Sequence, residues 1–395
     1  MRRLSVTIAI LLLCASLLWW YRRQHLRGLP IPSGTYSMYG VNQQRTKRTN
    51  SSGPSSARIL WKRKLSMLGP DESFTGPVVL DVKDNAYYAS DFGIYCITPH
   101  GDVSWTYPTL SLGHYHQTLA IDKTGSVYAV DKEGELICVR APGILVWKTQ
   151  QLDNSGVCLY PTILSDGSVV VFCNECVTKV SNLGNVLWSF SLLNLGGSAG
   201  GAGAISQSGQ VFVATAGGYV ASISSTGKLA HLSAQIDRLI GNSDISIDSG
   251  ASIYVSSVSG RLNCLNNRLE LVWSRTIQTS ENCIKAPAIA GSGDIFFATY
   301  DGEACRYTNS GKEIWKCKLS SPNPVCAASV ILDSNNNMYF STKDSILWSI
   351  SESGTINWKV ALDAKPGREN YGEVVISSKG RIYIICSSGY LYCID

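Results

Sequence analysis

The chain has 395 residues, of which 45% are apolar and 16% are charged, and its formal net charge is +5. This composition excludes a disordered or collagen-like chain, because there is enough apolar side-chain surface to offset the entropy cost of folding. The charge is unevenly placed: residues 1–64 hold twelve Lys and Arg and no Asp or Glu, which leaves 22 basic and 29 acidic residues for the body. An acidic body argues against nucleic acid as a partner.

The first predicted element is an uncharged run of 18 residues from Leu4 to Tyr21, which ends in three aromatic residues. As a helix it would reach about 27 Å, which spans the apolar core of a bilayer. We therefore predict a transmembrane anchor or signal segment over residues 1–21. A cleaved signal peptide, cut near residues 14–16, is the alternative. In both cases we expect a membrane-anchored or exported protein whose body is extracytoplasmic, that is, periplasmic or extracellular.

Residues 22–57 follow as a segment rich in Pro, Gly, Ser and basic side chains. Such a composition predicts a tether. Its basic residues Arg45, Lys47 and Arg48 either rest on anionic lipid or are solvated.

A tryptophan recurs in register through the body of the chain. The positions are Trp61, Trp105, Trp147, Trp188, Trp273, Trp315 and Trp358, with His231 in the one gap. Successive positions lie 41 to 44 residues apart, and most have a glycine four residues earlier, as in Gly184-x-x-x-Trp188. A period of this length predicts a repeat architecture.

Each unit of about 42 residues contains the same four pieces. In one unit they are an apolar piece before a polar turn, a β-rich run such as residues 127–130, a third run such as residues 135–139, and the Gly-x-x-x-Trp segment. Four short strands per unit are typical of a propeller blade, and eight register positions predict eight blades. The last unit ends at Asp395 after its third strand, whereas an unpaired fourth strand opens the body at residues 58–65. We therefore predict an all-β, eight-bladed propeller of four-stranded antiparallel blades over residues 58–395, closed by pairing of the 58–65 strand with the C-terminal blade.

The Gly-x-x-x-Trp frame after strands such as Tyr392-Cys393-Ile394-Asp395 resembles the repeat of quinoprotein-type (PQQ-like) propellers. This resemblance covers about residues 36–395 and implies that the seven recurring tryptophans are structural docking residues. The family includes PQQ-dependent dehydrogenases and non-catalytic scaffolds, among them the propeller lipoprotein of the outer-membrane β-barrel assembly machine. The adjacent cysteine pair of the dehydrogenases is missing from this sequence, and the units are too compact for a lid.

Two clusters are candidates for covalent or metal chemistry. Cys173 and Cys176 form a Cys-x-x-Cys pair that predicts a disulfide, a redox pair or half a metal site. His114 and His116 are weak candidates for a metal, and a polar loop without metal is the preferred interpretation. Five other cysteines recur in third strands, where they predict buried structural thiols: Cys96, Cys138, Cys264, Cys305 and Cys393.

Loops that precede the first strand of each unit should share one face of the propeller. Charged or polar residues in these loops are the candidates for a binding face, with ordinary solvated turns as the alternative. They are Asp71, Glu72, His114, His116, Arg238, Glu281, Lys285, Arg368 and Glu369.

These observations favour a membrane-tethered, non-catalytic propeller that acts as a scaffold for protein or peptide. A PQQ-dependent dehydrogenase with calcium is the alternative, and a ligand-sensing propeller is a third hypothesis. We expect no catalytic residue, no cofactor, no nucleic acid and a monomeric chain with a protein or peptide partner.

Overall fold

The computed structural model describes residues 37–65, 77–90, 92–108, 118–131, 133–153, 158–195, 201–236, 244–277, 285–326, 328–363 and 372–395. Within these ranges the chain forms 32 β-strands and one short 3-10 helix, Leu193–Leu195. The strands make eight four-stranded antiparallel sheets, which confirms the predicted eight-bladed propeller. No helix in these ranges is long and apolar enough to cross a bilayer. The predicted anchor, residues 1–21, lies outside them.

The first strand, β1, belongs to the last blade, and the next sixteen strands form blades 1 to 4 in chain order. Their bounds are β1 Ile59–Lys64; β2 Val79–Leu80, β3 Ala86–Ser90, β4 Gly93–Ile97 and β5 Val103–Pro108; β6 Ala120–Ile121, β7 Ser126–Val130, β8 Leu136–Arg140 and β9 Ile144–Lys148; β10 Cys158–Ile163, β11 Val169–Cys173, β12 Cys176–Val180 and β13 Val186–Ser191; β14 Ala204–Ile205, β15 Val211–Ala214, β16 Val220–Ile223 and β17 Leu229–Leu232.

Blades 5 to 8 follow in the same way, and β1 completes blade 8. Their bounds are β18 Ile245–Ile247, β19 Ile253–Ser256, β20 Arg261–Leu265 and β21 Leu271–Thr276; β22 Ala288–Ile289, β23 Ile295–Ala298, β24 Glu303–Tyr307 and β25 Glu313–Lys318; β26 Ile331–Leu332, β27 Met338–Ser341, β28 Ile346–Ile350 and β29 Ile356–Ala361; β30 Val375–Ile376, β31 Ile382–Ile385 and β32 Tyr390–Ile394.

The ring closes where β1 pairs with β32, with Ile59 opposite Ile394 and Lys64 opposite Tyr390. The backbones of Arg58 and Asp395 extend this pairing with two further hydrogen bonds of 3.0 and 2.8 Å. One blade therefore joins the beginning of the body to its end, so no sheet is left incomplete at the seam.

Burial follows the position of a strand in its blade. Second strands such as β11 (VVVFC) are buried along their whole length, because neighbouring blades cover both faces of the sheet. Outer strands such as β13 (VLWSFS) keep four of six residues exposed. The apolar runs thus form the contacts between blades, and the outer strands form the rim.

Each recurring tryptophan lies on an outer strand and reaches the tight turn of the following blade. A Cβ on Gly227 would lie 2.7 Å from Cγ of Trp188, and Trp188 Nε1 donates to the carbonyl of Ser225 at 3.0 Å. Five other tryptophan Nε1 atoms donate across a blade boundary in the same manner, from Trp61 to Pro99, Trp147 to Asn182, Trp273 to Asn309, Trp315 to Glu352, and Trp358 to Pro54. Glycine is needed at the six turns that face the tryptophans other than Trp358, because the indole occupies the space of a side chain and φ is positive. Trp358 instead reaches the segment before β1, where Ala57 stands at the glycine position.

The gap in the tryptophan register is compensated from the other side of the same junction. His231 is exposed on β17, and the following blade carries Leu269 where six other units carry glycine. Leu269 is buried, has φ of 65°, and packs in one apolar cluster with Phe212 of blade 4. The leucine therefore supplies apolar volume that tryptophan supplies elsewhere.

The prediction of a tether over residues 22–57 is wrong for its described part. We call residues 37–54 the strap, because its carbonyl oxygens accept hydrogen bonds from the inner strands of five blades. The donor amides belong to Ile121, Ile205, Ile247, Ile289 and Leu332, and the acceptors are Ser37, Gln43, Gln44, Thr46 and Lys47. Composition alone missed this, because backbone pairing with strand ends needs no apolar pattern.

Candidate functional site

Polar residues that lie just before or within the inner strands converge on the axis of the ring. Thr118, Tyr160, Ala202 and Asp244 occupy equivalent places in four consecutive blades, at a spacing of 42 residues. Thr118 Oγ1 accepts from the amide of Tyr160 at 2.8 Å, and the Asp244 carboxylate accepts from the amide of Ala202 at 2.9 Å. Neighbouring blades are thus linked by polar contacts at one level of the axis.

The strap places two side chains against this level. The Tyr39 hydroxyl donates to Asp244 Oδ2 at 2.5 Å and lies 2.9 Å from Ser329 Oγ. Lys47 Nζ donates to the carbonyl of Ala286 at 2.8 Å and to Ser329 Oγ at 3.2 Å. The same ammonium lies 3.8 Å from Asp244 Oδ2, and neither side chain is exposed to solvent.

Arg45 fills the neighbouring part of the axis. Its guanidinium donates to the carbonyl of Gly203 at 3.1 Å, to Thr162 Oγ1 at 2.7 Å, and to the carbonyl of Tyr39. It also lies over the Tyr39 ring, 5.2 Å from its centroid. A fully buried arginine is tolerated here because backbone and hydroxyl oxygens receive its protons.

Two further charged groups complete what we call the axial cluster, which consists of Tyr39, Arg45, Lys47, Asp244, Lys285, Ser329 and Glu373. Lys285 Nζ lies 3.9 Å from Asp244 Oδ2, and its side chain is 17% exposed. Glu373 accepts from Ser329 Oγ through Oε1 at 3.1 Å, whereas its buried Oε2 has no hydrogen-bond partner within the described ranges.

Burial and mutual attraction set the protonation states of this cluster. Burial lowers the pKa of Lys47 to about 8, although the carboxylates of Asp244 and Glu373 oppose the change. Burial would raise the pKa of Asp244, but Lys285 and Lys47 outweigh it, so that pKa lies below its usual range. Burial raises the pKa of Glu373, and Lys285 and Lys47 only partly offset it. Asp244 is therefore the charged carboxylate of the cluster, and Glu373 is the one that holds a proton more readily.

The charges of the axial cluster do not fit a calcium ion among the residues described. Three cationic side chains, Arg45, Lys47 and Lys285, face two carboxylates, and both lysines lie within 4 Å of Asp244. Calcium binds to oxygen ligands in sites with a net negative charge, and the ammonium groups of the two lysines would repel it. No group of three or more His, Cys, Asp or Glu suited to a metal ion occurs within the described ranges.

Of the residues predicted for the binding face, Lys285 is the one that the structure describes, and it lies at the axial cluster. The other eight lie outside the described residues: Asp71, Glu72, His114, His116, Arg238, Glu281, Arg368 and Glu369.

The prediction that Cys173 and Cys176 form a disulfide with each other is wrong. Cys173 is disulfide-bonded, whereas Cys176 is a buried free thiol whose Sγ lies 3.3 Å from the carbonyl oxygen of Leu152. Cys173 is the last residue of β11, and in the register of the β10–β11 pair it lies opposite Cys158. The third-strand cysteines are buried free thiols as predicted, and burial raises the pKa of Cys138 to about 12.

A second feature, the rim, was missed by the sequence analysis. The outer strands of blades 2 to 5, with the residues at their ends, carry eleven large apolar side chains that are 37% to 60% exposed; we call these the apolar arc. They are Ile144, Leu145, Val146, Leu183, Val186, Leu187, Leu193, Leu229, Leu232, Leu271 and Val272. The other four blades together expose six such side chains. The signal was visible in the sequence as apolar residues flanking the tryptophans of blades 2, 3 and 5 and His231 of blade 4.

Comparison with known proteins places this chain in a family. The model of the family described as "Outer membrane protein assembly factor BamB" matches residues 54–286 and 259–395. A protein named outer membrane protein assembly factor BamB, from Legionella pneumophila (strain Paris), is 27% identical over 118 residues, which cover 27% of this chain and 29% of that protein.

Two solved structures show the same fold at low sequence identity. BamB from Moraxella catarrhalis superposes with a TM-score of 0.64 at 14% identity, covering 86% of this chain and 98% of that one. Quinohemoprotein alcohol dehydrogenase from Comamonas testosteroni superposes with a TM-score of 0.68 at 11% identity, covering 94% and 82%. Because the family model spans most of the chain, this protein belongs to the family of outer membrane protein assembly factor BamB, a family of PQQ-like propellers.

Proposed function

We propose that the chain is a non-catalytic propeller scaffold that binds a protein partner through the apolar arc. The observation that carries this proposal is the concentration of exposed apolar side chains on blades 2 to 5. Contiguous exposed apolar surface on a folded protein is typical of a protein-binding site, whereas isolated exposed leucines are not informative. The names of the family and of the Legionella relative, both assembly factors, support a partner that is a protein.

The arc supplies binding energy in a way that the opposite rim does not. Leu145, Leu229 and Leu271 lie at the same register position, two residues before the recurring tryptophan or its substitute His231. Covering a half-exposed leucine contributes about 1 kcal/mol, so a partner that spans several blades gains several such increments. Three of the four outer strands on the opposite rim, β1, β25 and β29, carry lysines, against one of the four in the arc, β9, and a partner would have to desolvate these side chains.

We also propose that the propeller is extracytoplasmic and held at a membrane by its N-terminal segment. The disulfide at Cys173 supports an oxidising compartment, because cytosolic thiols are kept reduced. The name of the family supports an association with the outer membrane.

A PQQ-dependent dehydrogenase is the second candidate, because quinoprotein dehydrogenases share the fold. The charges of the axial cluster argue against it, as the described carboxylates are already faced by lysines. A third candidate, a ligand-sensing propeller, would use the axial cluster itself. Addition of PQQ and calcium to the purified protein, followed by dye reduction with alcohols and sugars, separates the dehydrogenase from the scaffold.

Site-specific photo-crosslinking in cells tests the scaffold directly. A photoreactive residue is placed at Leu145, Leu229 or Leu271 in the arc, and at Ile59, Val103 or Ile356 on the opposite rim. All six positions share the same register and are 38% to 56% exposed. The proposal expects one identified protein to be crosslinked from the arc positions and not from the opposite rim. Equal labelling from both sides, or none from the arc, would contradict it.

A further inference from the structure

The outer strands of the eight blades are open sheet edges, and most of them carry a residue that blocks pairing. In the described part of the chain, each outer strand is the last strand of its sheet. Such an edge offers unpaired N–H and C=O groups to any other strand, and proteins commonly protect it with lysine or proline.

Four of the six protecting residues share a register position. Directly after the recurring tryptophan stand four lysines, on β1, β9, β25 and β29: Lys62, Lys148, Lys316 and Lys359. The edge β5 ends in Pro108, and β21 carries Arg275. Six of the eight edges are thus protected by a basic side chain or a proline.

The edges of the two neighbouring blades 3 and 4 are not protected. β13 (VLWSFS) and β17 (LAHL) contain no Lys, Arg, Asp, Glu or Pro. Ser189 of β13 and Leu232 of β17 stand where the four lysines stand on other blades. With six residues β13 is the longer of the two, and the exposed side chains of Leu183, Leu187 and Leu193 surround it.

Charge opposes the pairing of two copies at an edge such as β1 but not at the β13 edge. When two copies of one chain meet about a twofold axis, each strand faces its own sequence in antiparallel orientation. For β1 this would bring Lys62, Arg63 and Lys64 of both copies together, which is unfavourable because like charges across a strand pair repel. For β13 no charge opposes the contact, and the apolar side chains of the two copies cover each other.

We propose that this protein forms a twofold dimer in which the β13 edges of two copies pair as antiparallel strands. The inference rests on the proposed function, since it names the partner for one segment of the apolar arc. It replaces the expectation of a monomer. The remaining arc, on blades 2, 4 and 5, stays available to a different protein.

The test measures the mass of the purified full chain in detergent by sedimentation velocity over a wide range of concentration. The variant Ser189→Lys restores on β13 the lysine that four other blades carry, so the blade is expected to fold. Ser274→Lys on β21 is the matched control, because it stands in the same register on an edge that Arg275 already protects. Each substitution also removes one side-chain hydrogen bond to the third strand of its blade.

We expect the wild type and Ser274→Lys to show a monomer–dimer equilibrium. Ser189→Lys should weaken it by more than about tenfold, because two lysines are brought together across the twofold axis. A wild type that stays monomeric would overturn the dimer, as would a dimer unaffected by Ser189→Lys, which would assign association to another surface. Crosslinking of a different protein from Leu145 and Leu271 does not depend on this result, so the dimer and the scaffold fail separately.

Discussion

Lys47 Nζ lies 3.8 Å from Asp244 Oδ2 at the centre of the ring, with neither side chain exposed to solvent. Lys47 belongs to the strap and Asp244 precedes the inner strand of blade 5, so the pair ties the two together. A buried ion pair is weak evidence for stability, because desolvation offsets the attraction. Its effect is instead to fix the strap, since a strap in any other position would leave a buried charge without its partner.

We predict that Asp244→Asn destabilises the protein by about 3–5 kcal/mol, because it removes the charged carboxylate that lies beside the buried ammonium of Lys47 and the largely buried Lys285. The free energy of unfolding from chemical denaturation measures this change. Asp363→Asn is the control: it removes an exposed ion pair with Lys62 and should cost less than about 1 kcal/mol. Equal effects of the two substitutions would show that burial of the Asp244 pair does not matter.

The buried carboxyl of Glu373 predicts a pH dependence of stability. Burial raises its folded-state pKa above the unfolded value of 4.5, so the folded protein retains the proton to a higher pH than the unfolded chain does. Stability from this group is fully present below pH 4.5 and is lost as the pH rises through the folded pKa. Thermal melts across this range should therefore show the wild type losing stability relative to Glu373→Gln as the pH increases. Parallel pH profiles would contradict the raised pKa.

The contact between Trp188 and Gly227 predicts a cost for a single methyl group. Gly227→Ala places a Cβ at φ of 80° and 2.7 Å from the indole, whereas Gly125→Ala places one at φ of 81° with nothing within 4 Å. The first substitution should cost about 1–3 kcal/mol more than the second, because overpacking adds to backbone strain. The difference between the free energies of unfolding of the two variants, measured by chemical denaturation, gives the contribution of this contact. If the two lose equal stability, the tryptophan does not pack against this turn in solution.

The two cysteines at the hairpin of blade 3 predict different responses to substitution. Cys173→Ala removes a disulfide and should cost about 2–4 kcal/mol, and it should release one further reactive thiol in the unfolded, unreduced protein. Cys176→Ala removes only a buried free thiol and should leave the disulfide intact. Thiol titration under denaturing conditions with and without reductant distinguishes them. Loss of the disulfide in Cys176→Ala would show instead that Cys173 and Cys176 are bonded to each other.

The fold was predictable from the sequence because the same pattern of residues repeats about every 42 positions. The tryptophan register, the Gly-x-x-x-Trp turns and the unpaired strand that opens the body at residues 58–65 together indicate eight blades and their closure. Even the gap at His231 has a counterpart in the sequence, since Leu269 stands where the turn glycine is expected. Local packing rules determine all of these positions.

The site was far less predictable, because its contacts do not repeat. Lys47 and Arg45 lie in a segment whose composition indicates a linker. Both are nevertheless buried, and they donate hydrogen bonds to the carbonyls of Ala286 and Gly203, which are far away in the sequence. Charged residues in loops predicted a binding face, and Lys285 is the residue of that set that lies in the described ranges. The apolar arc needed a comparison of equivalent positions between units, such as Leu187 against Ser104, which a search for catalytic motifs does not make.

The proposed scaffold role depends most on the apolar arc as the partner-binding surface. The most direct measurement is the size and protein composition of the native complex isolated from cells for two matched triple variants. One carries Leu145→Lys, Leu229→Lys and Leu271→Lys, and the other carries Ile59→Lys, Val103→Lys and Ile356→Lys at the same register on the opposite rim. We predict that the second variant keeps the partner of the wild type and that the first elutes without it. A complex unchanged by the first variant, with both variants folded, would contradict the account.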